Sequence, residues 1–262
     1  MLIGGAENKS PTKLTDKSIL SVFIELCGKS PVIEIITTAG SEEIDDTYNT
    51  YAACFNELGA RATGHIHHDN RPLDADLAER IENANGIFFT GGDQLKLTSI
   101  YGGTDIMAQI KNKYIHGGLI VAGTSAGAMA MSTPMIFDGT GHNEMVAAGV
   151  KVTTGFEFLK DVCIDTHFVH RGRFVRMAQV IATNPASIGI GIEENTAVIV
   201  TEAFNCEVIG YGVVILLDGE VSNSSNITSF NEDRKITIRD LKVSILSIGE
   251  QFVIPCRNIP HL

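Results

Sequence analysis

Along the first half of the chain, short apolar runs rich in β-branched residues alternate with longer amphipathic stretches, and few folds accommodate that alternation. Residues 32–37, 62–66, 86–90 and 119–122 read as strands, each followed by glycine or polar turn signals. Residues 16–27, 45–58, 74–84 and 105–113 carry helical periodicity; in the first of these, Ile19, Leu20, Phe23, Ile24 and Cys27 form one apolar stripe. Such alternation implies a parallel sheet wrapped by helices. Further on, residues 171–183 read as a helix ended before Pro185, and 188–192, 197–200, 207–211 and 213–217 as closely spaced strands. Residues 236–238, 243–248 and 251–254 continue the hairpin rhythm. The expected fold is α/β, with a parallel-core sheet flanked by helices and antiparallel strands extending one edge of it in the C-terminal third. The polar run SNSSN at 222–226 reads as a loop, and without repeats or linkers residues 1–262 are taken as one domain.

Hydrophobic residues make up 44% of the chain and charged residues 19%, the balance of a folded globular protein. A net charge of −11 excludes a generic nucleic-acid footprint. The five cysteines, Cys27, Cys54, Cys163, Cys206 and Cys256, are scattered and never form C-x-x-C, so neither a disulfide framework nor a thiolate zinc site is expected. No apolar run approaches the ~18 residues of a membrane span, and the first residues lack the pattern of a secretory leader. The expectation is a cytoplasmic protein with no membrane or nucleic-acid partner.

The strongest chemical signal is LIVAGTSAGA at 119–128, a strand entering G-x-S-x-G and then a helix of small residues. Ser125 at such a strand-to-helix turn is held above the sheet, and the Ala126 N–H, at the start of the helix, is available to a developing oxyanion. The competing explanation is a glycine-rich turn that holds a phosphate at the helix N-terminus.

A serine nucleophile needs a base. Of the eight histidines, His65, His67, His68, His116, His142, His167, His170 and His261, the best placed is His167, at the end of the apolar segment VCID. His170 also fits a helix start. Glu193 and Glu194 follow the strand IGIGI, and strand alternation lets only one of them face the site. The order Ser, His, Glu is not that of α/β-hydrolases, but triads are defined by geometry and roles.

Arg171, Arg173 and Arg176 cluster beside the proposed base in an acidic chain, and guanidinium groups bind carboxylates through paired hydrogen bonds. A solvated helix face with surface salt bridges is the competing explanation. Upstream, FFTGGDQL ends a strand in a glycine pair. Gly92 there offers a second oxyanion N–H and Gln94 a substrate hydrogen bond, unless the segment is a plain turn with Asp93 as helix cap.

Four segments, FFTGGDQLKLTSIYGGT, GTSAGA, DTHFVHRGRFVRM and GIGIEENTA, together resemble the cyanophycinase family of serine exopeptidases and, more distantly, dipeptidase E. LIGGAENK and ITTAGSEE, near the start, are similar too. The resemblance implies Ser125 as nucleophile, His167 as base and Glu194 as the acid that orients it. It also implies that Gln94, Asp165, Arg171, Arg173 and Arg176 line a pocket for β-aspartyl-arginine. A class I glutamine amidotransferase-like (flavodoxin-like) fold, a homodimer, and no metal or organic cofactor complete what it implies. The substrate would be cyanophycin or a short β-aspartyl peptide. The segment between Ile136 and Lys160 and the C-terminal third depart from the family pattern.

Two rival functions have residues in their favour. A metal-dependent hydrolase would use His65, His67, His68 and Asp69, or Asp165, His167 and His170. A non-catalytic binding protein would use the same pocket, but it would not need a serine, a histidine and a glutamate together.

Overall fold

The computed structural model describes residues 1–10, 18–139, 144–220, 222, 224–227 and 234–255. Cys256, His142 and His261 lie outside the described residues. Strand and helix alternate through the first half: β1 (Leu2–Ile3), α1 (Ile19–Leu26), β2 (Val32–Ile36), α2 (Ile44–Glu57), β3 (Ala62–Ile66), α3 (Leu77–Asn83), β4 (Gly86–Phe89), α4 (Gln94–Tyr101), α5 (Asp105–His116), β5 (Ile120–Thr124) and α6 (Ala126–Ala130). There follow β6 (Ser132–Thr133), β7 (Met135–Asp138), β8 (Lys151–Thr153), β9 (Leu159–Lys160), β10 (Val162–Thr166), α7 (Phe174–Thr183), β11 (Ile188–Ile192) and β12 (Thr196–Val200). The last strands are β13 (Asn205–Gly210), β14 (Val214–Asp218), β15 (Ser224–Ser225), β16 (Ile238–Arg239), β17 (Lys242–Leu246) and β18 (Gln251–Val253).

Helix starts follow from local chemistry. Ser18, Asp93 and Thr104 precede α1, α4 and α5, and each side-chain oxygen accepts an N–H of the first turn, from Ser21, Leu95 and Met107 respectively.

The large sheet has the order β18-β13-β12-β1-β5-β4-β2-β3. Its β1, β5, β4, β2 and β3 run parallel, and β12, β13 and β18 add to the β1 edge in antiparallel pairing. Alternate residues feed two cores, one on each face. Ile33, Ile35, Phe88 and Ala122 face α1 and α2, while Ile36, Ile87, Phe89 and Val121 face the opposite cluster. On the first face Phe23, Phe55 and Phe88 pack with ring centroids 5.2–5.5 Å apart, and each contributes about 1.5–3 kcal/mol by leaving water.

The C-terminal strands do not all extend that edge. β14 and β17 join a second sheet, ordered β17-β14-β11-β10-β6-β9, because β11 pairs in parallel with β10 and carries the later strands with it. The run at 222–226 is not wholly a loop either, since Ser224–Ser225 pairs with β16. Within the segment that departs from the family pattern, β7 and β8 form an antiparallel pair. The two sheets meet just beyond β1, where the Gly4 N–H donates to the Thr196 carbonyl and the Gly4 carbonyl accepts from the His167 N–H. The candidate site is built at this seam.

Candidate active site

β5 delivers Ser125 to the carboxyl end of the parallel strands, between β4 and β1. Its backbone has φ 53° and ψ −117°, a conformation that costs a non-glycine residue on the order of 1–3 kcal/mol. The sharp turn is possible because α6 lies directly on β4: a Cβ at Gly127 would run into the carbonyl of Phe89. Ala126 opens α6, whose first N–H groups have no partners within the helix.

His167 follows β10 and Glu194 follows β11, two neighbouring parallel strands of the second sheet. The Ser125 Oγ lies 3.0 Å from His167 Nε2, and His167 Nδ1 lies 2.6 Å from Glu194 Oε1. A carboxylate on Nδ1 favours the tautomer in which that nitrogen donates, leaving Nε2 to accept from the serine hydroxyl. Burial pushes the His167 imidazole below its ordinary pKa; the Glu194 bond opposes this, and Arg171 and Arg173 add to the lowering. The hydrogen bond from His167 in turn holds the Glu194 carboxyl below the usual range.

One loop ties the three together. The carbonyls of Ile3, Gly4 and Gly5 accept the N–H groups of Ser125 at 3.0 Å, His167 at 2.9 Å and Asn195 at 2.8 Å. Gly5, at φ +96°, leaves the space that the His167 ring occupies. In the sequence LIGGAENK stands out only through the resemblance, and its glycine pair is the one signal of a close backbone approach.

Only one of the two glutamates, Glu194, meets His167, but strand alternation is not what separates them. β11 ends at Ile192 and the chain turns at Asn195, φ 49°, so the strand rule no longer applies. Both carboxylates stay near His170, and Glu193 accepts the N–H groups of Val169 at 2.5 Å and His170 at 3.1 Å.

The other residues singled out from the sequence fall in different places. Asp165 is fully buried and paired with Arg176, through Nε at 2.6 Å and Nη2 at 2.5 Å, and with Arg173 at 3.0 Å. Arg173 also donates to the Thr166 carbonyl at 2.9 Å, so these three charges brace the turn that carries His167. Arg171 is exposed on that turn. Gln94 donates to the Ile136 carbonyl at 2.8 Å. Gly91 is the member of the glycine pair that lines the cleft, whereas Gly92 packs on the backbone of Ala39 and Asp93 caps α4. The histidines of the metal-hydrolase alternative are engaged elsewhere: the Thr37 hydroxyl bridges His65 at 2.8 Å and His67 at 3.1 Å, and His68 bonds Tyr101 at 2.9 Å.

In front of Ser125 opens a cleft of about 360 Å³. Sequence reasoning missed most of its walls. Glu7 forms part of one wall, buried, with its carboxylate accepting from the hydroxyls of Tyr51 and Thr124. Glu43 and Asp46, at the start of α2, are exposed and carry two further carboxylates, with Lys9 the one cationic side chain among the lining residues. Glu43 sits at φ 51° and its side chain makes no helix cap, so its backbone conformation is unusual and its carboxylate is not spent on the helix.

Residues 1–205 match the model of peptidase family S51. The chain belongs to peptidase family S51. As an S51 member it is a serine-type peptidase. Among its relatives are the cyanophycinase of Geminocystis herdmanii, 31% identical over 254 residues (96% of this chain and 92% of that protein), and the cyanophycinase of Trichormus variabilis, 30% identical over 261 residues (99% and 86%). In fold it is similar to a peptidase from an acI-B1 actinobacterium, with TM-score 0.67 and 22% identity over 97% of this chain and 95% of that one. A putative peptidase E protein of Listeria monocytogenes shares the fold less fully, with TM-score 0.53, 18% identity, and coverage of 75% and 94%. No helix among the described residues is long and apolar enough to cross a membrane.

Proposed function

We propose that this S51 peptidase is an exopeptidase that degrades cyanophycin, an aspartate backbone with arginine side groups, to β-aspartyl-arginine dipeptides. The observation that carries the proposal is the unbroken line from the Ser125 hydroxyl at the cleft, through His167, to Glu194, at 3.0 and 2.6 Å.

In this reading His167 takes the proton as Ser125 Oγ attacks the scissile carbonyl, and Glu194 stabilises the imidazolium. The Ala126 N–H and one from the glycine pair at 91–92 receive the oxyanion. His167 returns its proton to the leaving amine, and water, activated by the same imidazole, then releases the acyl group. Asp165, Arg173 and Arg176 position His167 rather than touch substrate, as their mutual pairing supports. Exposed Arg171 is the arginine suited to a substrate carboxylate.

The substrate assignment is supported by the naming of the relatives and by the carboxylates of Glu43 and Asp46 along the cleft, which suit a guanidinium group. A cytoplasmic homodimer belongs to the same proposal; Tyr114, Ile115, Leu26 and Phe158 gather around an apolar groove of about 460 Å³, a surface that suits a second copy.

The test is incubation with insoluble cyanophycin, with and without chelator, following soluble β-aspartyl-arginine by mass spectrometry. Chelator-resistant release is the expected result. No release, with turnover of other aspartyl dipeptides, would move the substrate to the dipeptidase E class.

A further inference from the structure

Beside the triad, His170, Glu193 and Glu194 each offer a ligand atom, all lying within 4.8 Å of one another. Among the described residues no other three histidine, cysteine or carboxylate side chains converge in this way. The group owes its shape to the fold. Glu193 is fixed by two backbone N–H groups of the turn after His167, and Glu194 is fixed by His167 itself. His170, exposed on the same turn, brings a nitrogen within reach of both carboxylates.

We propose that these three residues form an inhibitory site for a divalent transition metal of the zinc class. One imidazole and two carboxylates, open to solvent on the remaining side, suit zinc, whereas calcium and magnesium favour all-oxygen shells. The mechanism of inhibition follows from Glu194. One of its oxygens holds His167 Nδ1, and the negative charge of that carboxylate is what favours the imidazolium formed when Ser125 gives up its proton. A dication on the other oxygen neutralises that charge and places its own positive charge beside His167, so proton transfer from Ser125 becomes harder. The inhibitory half of the proposal rests on the triad assignment, whereas metal binding does not.

The experiment titrates zinc into the chelator-treated full chain, reading binding by calorimetry and turnover on the same samples. The expected result is one site per chain, loss of turnover as it fills, and recovery on adding chelator. His170→Gln should keep its turnover in the absence of zinc and need at least about tenfold more zinc for half-inhibition. His170→Ala provides the check against a replacement that itself coordinates. No binding, or equal inhibition of native and His170 variants, overturns the site. Binding without inhibition overturns the coupling, and Glu194→Gln says why: if that variant is inactive the fault lies in the coupling, and if it is active the triad assignment falls with it.

Discussion

The His167 ring stands where a side chain on Gly5 would be: a Cβ built on Gly5 overlaps its Cε1 and Nε2 atoms. The nitrogen that faces the Ser125 hydroxyl is therefore placed by an absent methyl group on β1's following loop, more than 150 residues away in sequence. The carbonyls from the end of β1 through this loop accept the N–H groups of Ser125, His167 and Asn195, the residue after Glu194. Gly5→Ala should leave an intact fold and displace the imidazole. A misplacement of about 1 Å costs on the order of 10²-fold in rate, and the left-handed φ at residue 5 costs an alanine on the order of 1–3 kcal/mol, so kcat should drop by that factor and the unfolding midpoint should fall with it, as steady-state kinetics and denaturation together would show.

The pH profile follows from the direction of the His167 shift. Burial disfavours the imidazolium, so the folded enzyme sheds that proton below the 6.5 of an ordinary histidine. In the proposed mechanism the neutral imidazole is the base, so kcat/KM should rise to a plateau with its inflection under 6.5 and stay high in mildly acidic buffer. Glu194→Gln removes the group that raises this pKa and orients the ring. The inflection should move further down and kcat should fall on the order of 10⁴-fold.

Asp165 tests the bracing role. It is fully buried between Arg173 and Arg176, and Arg176 is itself only 4% exposed. Asp165→Asn leaves two guanidinium groups without their countercharge, a loss of about 3–5 kcal/mol for a broken buried pair. Chemical denaturation should show that loss. If Asp165 were instead a substrate ligand, stability would hold and KM alone would rise.

Glu43 and Asp46 are exposed, so each should be worth at most about 1 kcal/mol toward a cationic substrate, or roughly fivefold in KM. Glu43→Gln and Asp46→Asn are expected to raise KM for arginine-bearing substrate by that factor, more at low salt than at high, with kcat unchanged. A neutral analogue should not notice either change.

The contrast between what was legible in the sequence and what was not has physical causes. The alternation that predicts β2 through β5 is strong because both faces of a parallel sheet are covered, and the strand before Ser125 with small residues after it marks the elbow. β1 escaped notice because two residues carry no periodicity, yet its loop organises the site. The second sheet was hidden for a related reason: hairpin rhythm reports that strands pair, not which sheet receives them. Arg173 and Arg176 read as carboxylate binders because nothing in the string shows that Asp165 is buried between them. Glu43 and Asp46 look like the charged face of any surface helix. That only one of Glu193 and Glu194 meets His167 is as expected, but strand alternation is not the cause, because the strand ends at Ile192.

The most direct measurement is release of β-aspartyl-arginine from cyanophycin by the native protein and by Ser125→Ala, each shown to be folded by circular dichroism. Ser125 as nucleophile predicts steady release by the native protein and none above background by the variant. Comparable release by a folded Ser125→Ala protein would contradict the assignment outright.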